Sequence, residues 1–206
     1  MVQLEWEPTD STQIRYAYDR TRIDESPELP FITTINESSF VGQLVAPYSE
    51  QQSEYPDSIL TNDENHAELE VDGQALQINI ALTDNLSFRS ITGYREMESG
   101  GVNASSVPLT PQLIKTADNQ SFESFTQEFR LTGSALSDRL SYSLGAFYMN
   151  EEGEVNFNLD VFGSPISDTS GKFENSNWAV YGQATYDLTE QWSLTAGLRY
   201  TEEERE

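Results

Sequence analysis

The chain has 206 residues, of which 35 are acidic and 11 are basic, and its formal net charge is −24. Non-specific binding to nucleic acid or to an anionic membrane surface requires clustered Lys and Arg, so we expect no nucleic-acid partner. There is no Cys and only one His, which excludes Cys/His zinc sites, thiol nucleophiles and disulfides.

Four β-hairpins are predicted along the chain, because apolar and polar residues alternate through eight segments. A period of two residues puts successive side chains on opposite faces of a strand. The pattern therefore predicts an all-β protein of about eight antiparallel strands. The apolar positions of the successive segments are Val2, Leu4 and Trp6; Ile14, Tyr16 and Tyr18; Leu76, Ile78, Ile80 and Leu82; Leu86, Phe88 and Tyr94; Phe125, Phe129 and Leu131; Leu140, Tyr142, Leu144, Ala146 and Tyr148; Trp178, Val180, Ala184 and Tyr186; and Trp192, Leu194, Leu198 and Tyr200.

The connections between these segments alternate in length. Compact soluble sandwiches favour connections of about 2 to 6 residues, whereas short turns at one end of a sheet and long loops at the other are typical of outer-membrane barrels. We therefore predict an antiparallel up-and-down transmembrane β-barrel. The predicted turns lie near residues 8–11, 83–85, 133–139 and 187–191, and the predicted long loops lie at approximately 24–63, 96–120 and 151–173.

The last hairpin carries aromatic side chains at both ends of each strand. Trp178 and Tyr186 are eight residues apart, as are Trp192 and Tyr200, and only Val, Gly, Ala and Leu lie between them on that face. Eight residues of strand span roughly 26 Å, or about 20 Å along the membrane normal after a tilt of about 35 to 45°. An apolar band between two aromatic girdles is the surface that a barrel presents to lipid.

We therefore predict that one face of the strands contacts the lipid of the membrane. The opposite face then lines a lumen that can hold water, which explains the polar side chains of Arg89, Glu128, Arg130, Gln183 and Arg199 in the middle of strands. The predicted lipid-facing residues are Tyr94, Tyr142, Leu144, Tyr148, Trp178, Val180, Tyr186, Trp192, Leu194, Leu198 and Tyr200.

The first predicted loop, residues 24–63, is rich in Pro, Ser, Glu and Asp and contains no Lys or Arg. Segments of this composition are usually solvated loops. Its carboxylates show no spacing of the kind that a calcium-binding loop requires. A second hypothesis is that Phe31, Phe40 and Tyr48 anchor part of this segment inside a lumen.

Four segments resemble strands of TonB-dependent outer-membrane receptors, and they occur in the order expected for that family. They most resemble the group within the family that carries strands with the motifs SITGYR, SQE-RL and GLRYT-E. The four segments are LSFRSITGYR (86–95), FTQEFRLTG (125–133), RLSYSLGAFYMNEE (139–152) and WAVYGQATYDLTEQWSLTAGLRYTEEER (178–205).

The resemblance implies a barrel of 22 strands around an N-terminal plug, in the outer membrane of a bacterium. It also implies import of a scarce ligand, such as a ferric siderophore, cobalamin or a glycan, with energy relayed by TonB through the plug. We expect residues 1–206 to form one partial barrel domain of about eight strands, without a plug or a signal peptide. The polar run TEEERE at the end agrees with this expectation.

Two other interpretations remain open. One is a complete eight-stranded outer-membrane barrel that acts as an adhesin or a structural protein. The other is a soluble secreted β-sandwich that binds a ligand through its acidic loops. An enzyme is not expected, because adjacent carboxylates such as Glu151 and Glu152 point to opposite faces of a strand. We expect no cofactor and no metal site.

Overall fold

The computed structural model describes residues 1–26, 34–48, 65–105 and 114–206, which form one antiparallel sheet of eight strands. Each strand pairs with the next one along the chain, so the order in the sheet is the order in the sequence. The predicted all-β, up-and-down architecture of eight antiparallel strands is confirmed. The strands are β1 (Val2–Thr9), β2 (Thr12–Glu25), β3 (His66–Thr83), β4 (Leu86–Ser105), β5 (Ile114–Ala135), β6 (Leu140–Val161), β7 (Ser164–Asp187) and β8 (Ser193–Arg205).

The register of the ladders assigns every strand residue to one of two faces, because directly opposed residues of an antiparallel pair share a face. We name the faces after two adjacent residues of β8. The Leu198 face contains the row Leu198, Gly182, Leu144 and Leu131, which crosses from β8 to β5. The Arg199 face contains the row Arg199, Tyr181, Gly145, Arg130 and Arg89, which crosses from β8 to β4.

Four short turns lie at one end of the sheet, as predicted. They occupy residues 10–11, 84–85, 136–139 and 188–192. Each joins an odd-numbered strand to the following even-numbered strand, and the strands extend from these turns for up to 24 residues. A membrane-crossing strand needs only about 9 to 11 residues. The longer strands therefore continue well beyond the length that a bilayer requires.

The long loops predicted at residues 96–120 and 151–173 are wrong, because most of both segments is strand. β4 continues to Ser105, β5 begins at Ile114, and the turn between β6 and β7 consists of Phe162 and Gly163 alone. The apolar residues of β6 change face in this region, from even positions such as Tyr148 to odd positions such as Val155. Regular alternation on one face is therefore lost, while the backbone groups still pair with those of the neighbouring strands.

The predicted loop at 24–63 is described only in part. β2 continues to Glu25, and residues 34–48 include the short helix α1 (Phe40–Val45), whose first turn is capped by the Ser39 hydroxyl accepting from the Gly42 N–H at 2.9 Å. No described helix is long and apolar enough to cross a membrane. The side chain of Phe40 is 75% exposed in this open sheet, and its anchoring in a lumen stays a hypothesis. Phe31, the side chain of Tyr48 and the remainder of this segment lie outside the described residues.

The sheet is open and has almost no core of its own. β1 and β8 make no contact with each other, and all eight described strands belong to a single sheet. The described strands therefore form neither a closed eight-stranded barrel nor a two-layer sandwich. Among the described apolar residues, only Ala104 and Ala179 are buried. Both faces of this sheet consequently require a cover that these strands do not supply.

Candidate functional site

The Leu198 face is uncharged over the part of the sheet next to the short turns. In the five strands from β4 to β8, its residues between the turns and residues 94, 125, 148, 178 and 200 are mainly Leu, Val, Ala, Gly and aromatic residues. Several of them are strongly exposed, and Leu198 reaches 82%. An exposed apolar surface that extends over several strands marks contact with another apolar phase or molecule.

Two rows of aromatic side chains border this uncharged area. The upper row, farther from the turns, contains close ring pairs, with centroids 6.4 Å apart for Phe125 and Tyr148 and 5.5 Å apart for Trp178 and Tyr200. The upper row consists of Tyr94, Phe125, Tyr148, Trp178 and Tyr200, and the lower row consists of Phe88, Tyr142, Tyr186 and Trp192. We call the strand segments between the turns and the upper row the turn half, and those beyond it the loop half. In β3 and β2 the boundary lies at Gln74 and Tyr18, which are level with Tyr94 in the register.

The structure brings ten of the eleven predicted lipid-facing residues onto the Leu198 face. They are Tyr94, Tyr142, Leu144, Tyr148, Trp178, Val180, Tyr186, Leu194, Leu198 and Tyr200. The eleventh, Trp192, lies in the turn just before β8 and is 71% exposed. Contact of these residues with lipid stays a prediction.

The upper aromatic row is inclined to the direction of the strand-to-strand hydrogen bonds. Tyr94 is directly opposite Phe125, but Phe125 faces Asn150, two residues beyond Tyr148. The same slip of two residues toward the turns recurs between Trp178 and Tyr200. Four residues correspond to about 13 Å along a strand, and four strand-to-strand steps cover about 19 Å, so the row is inclined by about 35°.

The Leu198 face also contains polar side chains that the sequence analysis did not assign to it. Gln127 lies between Phe125 and Phe129 and contacts β4, where its amide accepts from the Thr92 hydroxyl at 2.7 Å and donates to the Ser90 hydroxyl at 3.0 Å. These hydrogen bonds satisfy groups that would otherwise be costly to place in an apolar surrounding. Gln127 is two residues from both Phe125 and Phe129 in the sequence, and this spacing was the signal that could have placed it on their face.

A polar network occupies the Arg199 face in the turn half. Glu128 accepts from Arg130 Nη2 at 2.7 Å and from the Tyr181 hydroxyl, and Arg130 Nε donates to that hydroxyl at 3.3 Å. The guanidinium of Arg199 lies 5.7 Å from the centre of the Tyr181 ring, within range of a cation–π interaction. Tyr181 reaches β5 from β7 by lying over Gly145 of β6, where a Cβ atom would overlap its ring.

A second set of hydrogen bonds on this face lies closer to β1 and joins Arg89 to amide side chains. Arg89 Nε donates to Asn79 Oδ1 at 2.7 Å, and Asn79 Nδ2 donates to Gln13 Oε1 at 3.2 Å. Arg15 and Glu5 form an ion pair at 3.3 Å beside it. Predicted lumen-lining residues from different hairpins are thus connected across the sheet. This surface offers charged groups and hydrogen-bonding groups to whatever lies against the Arg199 face.

The polarity of the two faces is reversed in the loop half. On the Leu198 face, a row of carboxylates crosses five strands in direct register, and on the Arg199 face the row behind it is apolar. The acidic row consists of Asp72, Glu96, Glu123, Glu152 and Glu174, and the apolar row consists of Val71, Met97, Phe122, Gly153 and Phe173. Sequence reasoning missed this inversion because it assigned five of these ten residues, Glu96, Met97, Glu152, Gly153 and Phe173, to loops.

Several basic residues of the loop half are engaged by carboxylates. Arg20 pairs with Glu70 and lies 3.9 Å from Asp72, and the charges of Asp72 and then Glu70 raise the pKa of its guanidinium. Lys172 Nζ lies 3.0 Å from Glu154 Oε2, and this hydrogen bond lowers the pKa of the Glu154 carboxyl. Among the described residues, no three His, Cys, Asp or Glu side chains converge in a way that could hold a metal ion.

A family model described as TonB dependent receptor-like, beta-barrel, matches residues 4–206, which is nearly the whole chain. The chain belongs to this family of TonB-dependent receptor β-barrels. Proteins of the family are outer-membrane transporters of bacteria rather than enzymes. None of the curated proteins compared with the chain matches it.

Solved structures of receptors share the fold at low sequence identity. The ferric yersiniabactin uptake receptor FyuA from Yersinia pestis superposes with a TM-score of 0.72 at 16% identity, over 98% of this chain and 29% of that one. The ferric citrate transporter FecA superposes with a TM-score of 0.67 at 12% identity, over 98% of this chain and 28% of that one. The ferric-catecholate import receptor Fiu from E. coli K12 superposes with a TM-score of 0.66 at 12% identity, over 98% of this chain and 36% of that one. The chain therefore spans about a third of the length of these receptors.

Proposed function

We propose that this chain forms part of the wall of an outer-membrane receptor that imports a scarce ligand with energy relayed by TonB. In this proposal the turn half crosses the membrane, its Leu198 face contacts lipid, and its Arg199 face lines the lumen. The loop half extends beyond the membrane on the side where the cargo arrives. Family membership supports the transport role, and the chain supplies about a third of the barrel protein.

The observation that carries the membrane assignment is the uncharged Leu198 face between two aromatic rows. Lipid tails cannot hydrate a charge, and barrels place aromatic residues at both boundaries of their apolar band. The upper row is inclined by about 35° to the hydrogen-bond direction, which equals the tilt of strands in outer-membrane barrels, about 35 to 45°. A row that follows a flat membrane surface across tilted strands should slip by this amount.

The Arg199 face supports the assignment of the lumen. Its Glu128, Arg130 and Arg199 would be expensive to place against lipid, whereas a wet lumen or a polar plug accommodates them. In the full-length protein we propose that this network contacts the plug, through which TonB acts. The cargo class proposed from the family and from its ferric-chelate-importing structural relatives is a ferric siderophore or a comparable scarce ligand.

The membrane assignment is tested by charge substitutions on the two faces of one strand. In the full-length protein, L144R and L198R should each lower the free energy of unfolding by about 2 to 4 kcal/mol, the cost of Arg near the middle of a bilayer. The matched control S143R changes the neighbouring residue, whose side chain is on the Arg199 face, and should cost little. Urea titration of receptor refolded into lipid vesicles measures the difference. If the receptor tolerates Arg equally well at positions 143 and 144, the assignment of the Leu198 face to lipid is contradicted.

The transport role is tested by energy dependence. Uptake of radioactive iron by cells that carry the full-length receptor should stop when the proton gradient is dissipated or when TonB is removed. Uptake that continues under both conditions would identify the barrel as a passive pore.

A further inference from the structure

The apolar row of the loop half is an aromatic surface with no cover in the described chain. The rings of Phe122 and Phe173 lie 6.2 Å apart over Gly153, and Val71 and Met97 continue the row. The next row outward adds further apolar side chains on the same face, and these are Ile23, Leu69 and Val155. All of these apolar side chains remain partly or largely exposed.

This surface faces the same side as the polar network of the turn half. If that side is the lumen, as proposed above, the apolar row lines the mouth through which cargo enters. An apolar sheet face in water gains free energy when an apolar surface covers it. The acidic row on the opposite face of the same strands is then directed outward, to solvent.

The Arg199 face of this mouth is acidic. In the described strands of the loop half, this face carries two basic residues, Arg95 and Arg205, and five acidic residues, which are Asp19, Glu25, Asp118, Glu151 and Glu203. Both basic residues already contact a carboxylate. Binding of a polyanion requires clustered and available Arg or Lys. The strands counted are residues 19–25, 66–73, 95–105, 114–124, 150–161, 164–177 and 201–206.

We propose that the mouth selects an uncharged or cationic cargo that places an apolar or aromatic surface on Phe122 and Phe173, and that it repels polyanionic chelates. This inference rests on the proposed import function and defines the chemical class of its cargo. The negative field raises the local concentration of cations and lowers that of anions before contact. The aromatic rings then provide stacking and cation–π contacts to the cargo.

The proposal is tested with two naphthalene probes that differ only in one substituent, a trimethylammonium group or a sulfonate group. Binding of each to the full-length receptor in neutral detergent is measured by equilibrium dialysis at low salt. We expect the cationic probe to bind at least about tenfold more tightly, an effect within the range of electrostatic focusing. Raising the salt concentration should weaken binding of the cationic probe and strengthen binding of the anionic probe. Equal binding, or tighter binding of the anion, overturns the proposal.

The contact surface is tested by F122S and F173S. Each should reduce affinity for the cationic probe severalfold, whereas F162S, at the exposed turn between β6 and β7, should not. Loss of affinity in F162S alone would overturn the assignment of the aromatic row. The comparison of the two probes on the unmodified receptor remains decisive if either row variant fails to fold.

Failure of this inference and failure of the import function are distinguishable. The same receptor preparation is assayed for TonB-dependent uptake in cells and for heat-modifiable migration, which reports a folded barrel. A folded receptor with energy-dependent uptake that prefers the anionic probe contradicts only the cargo class. A receptor without energy-dependent uptake contradicts the function itself.

Discussion

Gly145 is the residue on which the Arg199-face network most depends, because Tyr181 lies over it to reach Glu128. A Cβ atom at position 145 would overlap the ring of Tyr181. We therefore expect G145A to displace that ring and to lower the free energy of unfolding of the full-length receptor by about 1 to 3 kcal/mol, as overpacking does. Urea titration of the refolded protein measures the change.

The matched control is G171A, in the neighbouring strand β7 and on the same face. No atom lies within 4 Å of the position that its Cβ would take. Ala at this position should be neutral or slightly stabilising, since it restricts the unfolded chain more than Gly does. If both variants had the same stability, the close packing of Tyr181 on Gly145 would be contradicted.

The turn between β6 and β7 carries a bulky residue in a backbone conformation that disfavours it. Phe162 and Gly163 have φ angles of 52° and 71°, which are typical of a type I′ turn. Asn adopts this left-handed conformation at a lower cost than Phe, so F162N should stabilise the full-length receptor by about 1 kcal/mol. A higher urea midpoint is the expected result. An unchanged or lower midpoint would indicate that Phe162 makes a stabilising contact.

At the scale of the element, the acidic row is a source of instability in the loop half. Glu123 lies directly between Glu96 and Glu152 in the register, and like charges directly opposite each other destabilise a sheet. We expect E123Q to raise the free energy of unfolding by about 0.5 to 1 kcal/mol at low salt. The gain should shrink in about 0.5 M salt, which screens exposed charges.

The control for this prediction is D168N, in the same half of the sheet. Asp168 faces Asn158 across the ladder, not a carboxylate. Its neutralisation removes one charge without relieving a directly opposed pair, so its effect should be smaller than that of E123Q. The pair of unfolding curves, each at low and high salt, is the measurement. If E123Q and D168N changed the free energy of unfolding equally, total charge rather than the direct opposition of carboxylates would set the stability of the loop half.

The strands themselves were predicted well in the turn half and poorly in the loop half. Short turns, apolar alternation and the grouping of ten predicted residues on one face all followed from the local pattern. The extension of β4 to β7 was missed because the apolar residues of each strand change face just beyond the upper aromatic row, for example near residue 150 in β6. A rule that counts alternate positions on one face reports a loop where the face changes, although backbone pairing continues.

At the scale of the whole molecule, the sheet has two open edges. Within the described residues, β1 and β8 are each paired on one side only, and four apolar residues near these edges are strongly exposed, namely Leu4, Trp6, Leu194 and Leu198. An unpaired edge beside an apolar face is a template for aggregation. We expect the isolated 206-residue chain to aggregate in buffer without detergent.

Size-exclusion chromatography with light scattering tests this expectation. If the proposed function is right, the full-length receptor in detergent should elute as a single species, because further strands would then cover both edges and detergent would cover the Leu198 face. A monodisperse isolated chain in plain buffer would contradict the view that these eight strands are an incomplete wall.

The sequence by itself determined the uncharged Leu198 face and the aromatic residues at its boundaries, and four segments in order carried the resemblance to the family. The face and its boundaries depend only on residue type and on a period of two, which are local properties. Only the tertiary structure decided which residues of different strands are opposed. The inclination of the aromatic row, the link from Tyr181 across Gly145 to Glu128 and the paired acidic and apolar rows all depend on register. Register follows from hydrogen bonding between distant segments of the chain, which no local pattern specifies.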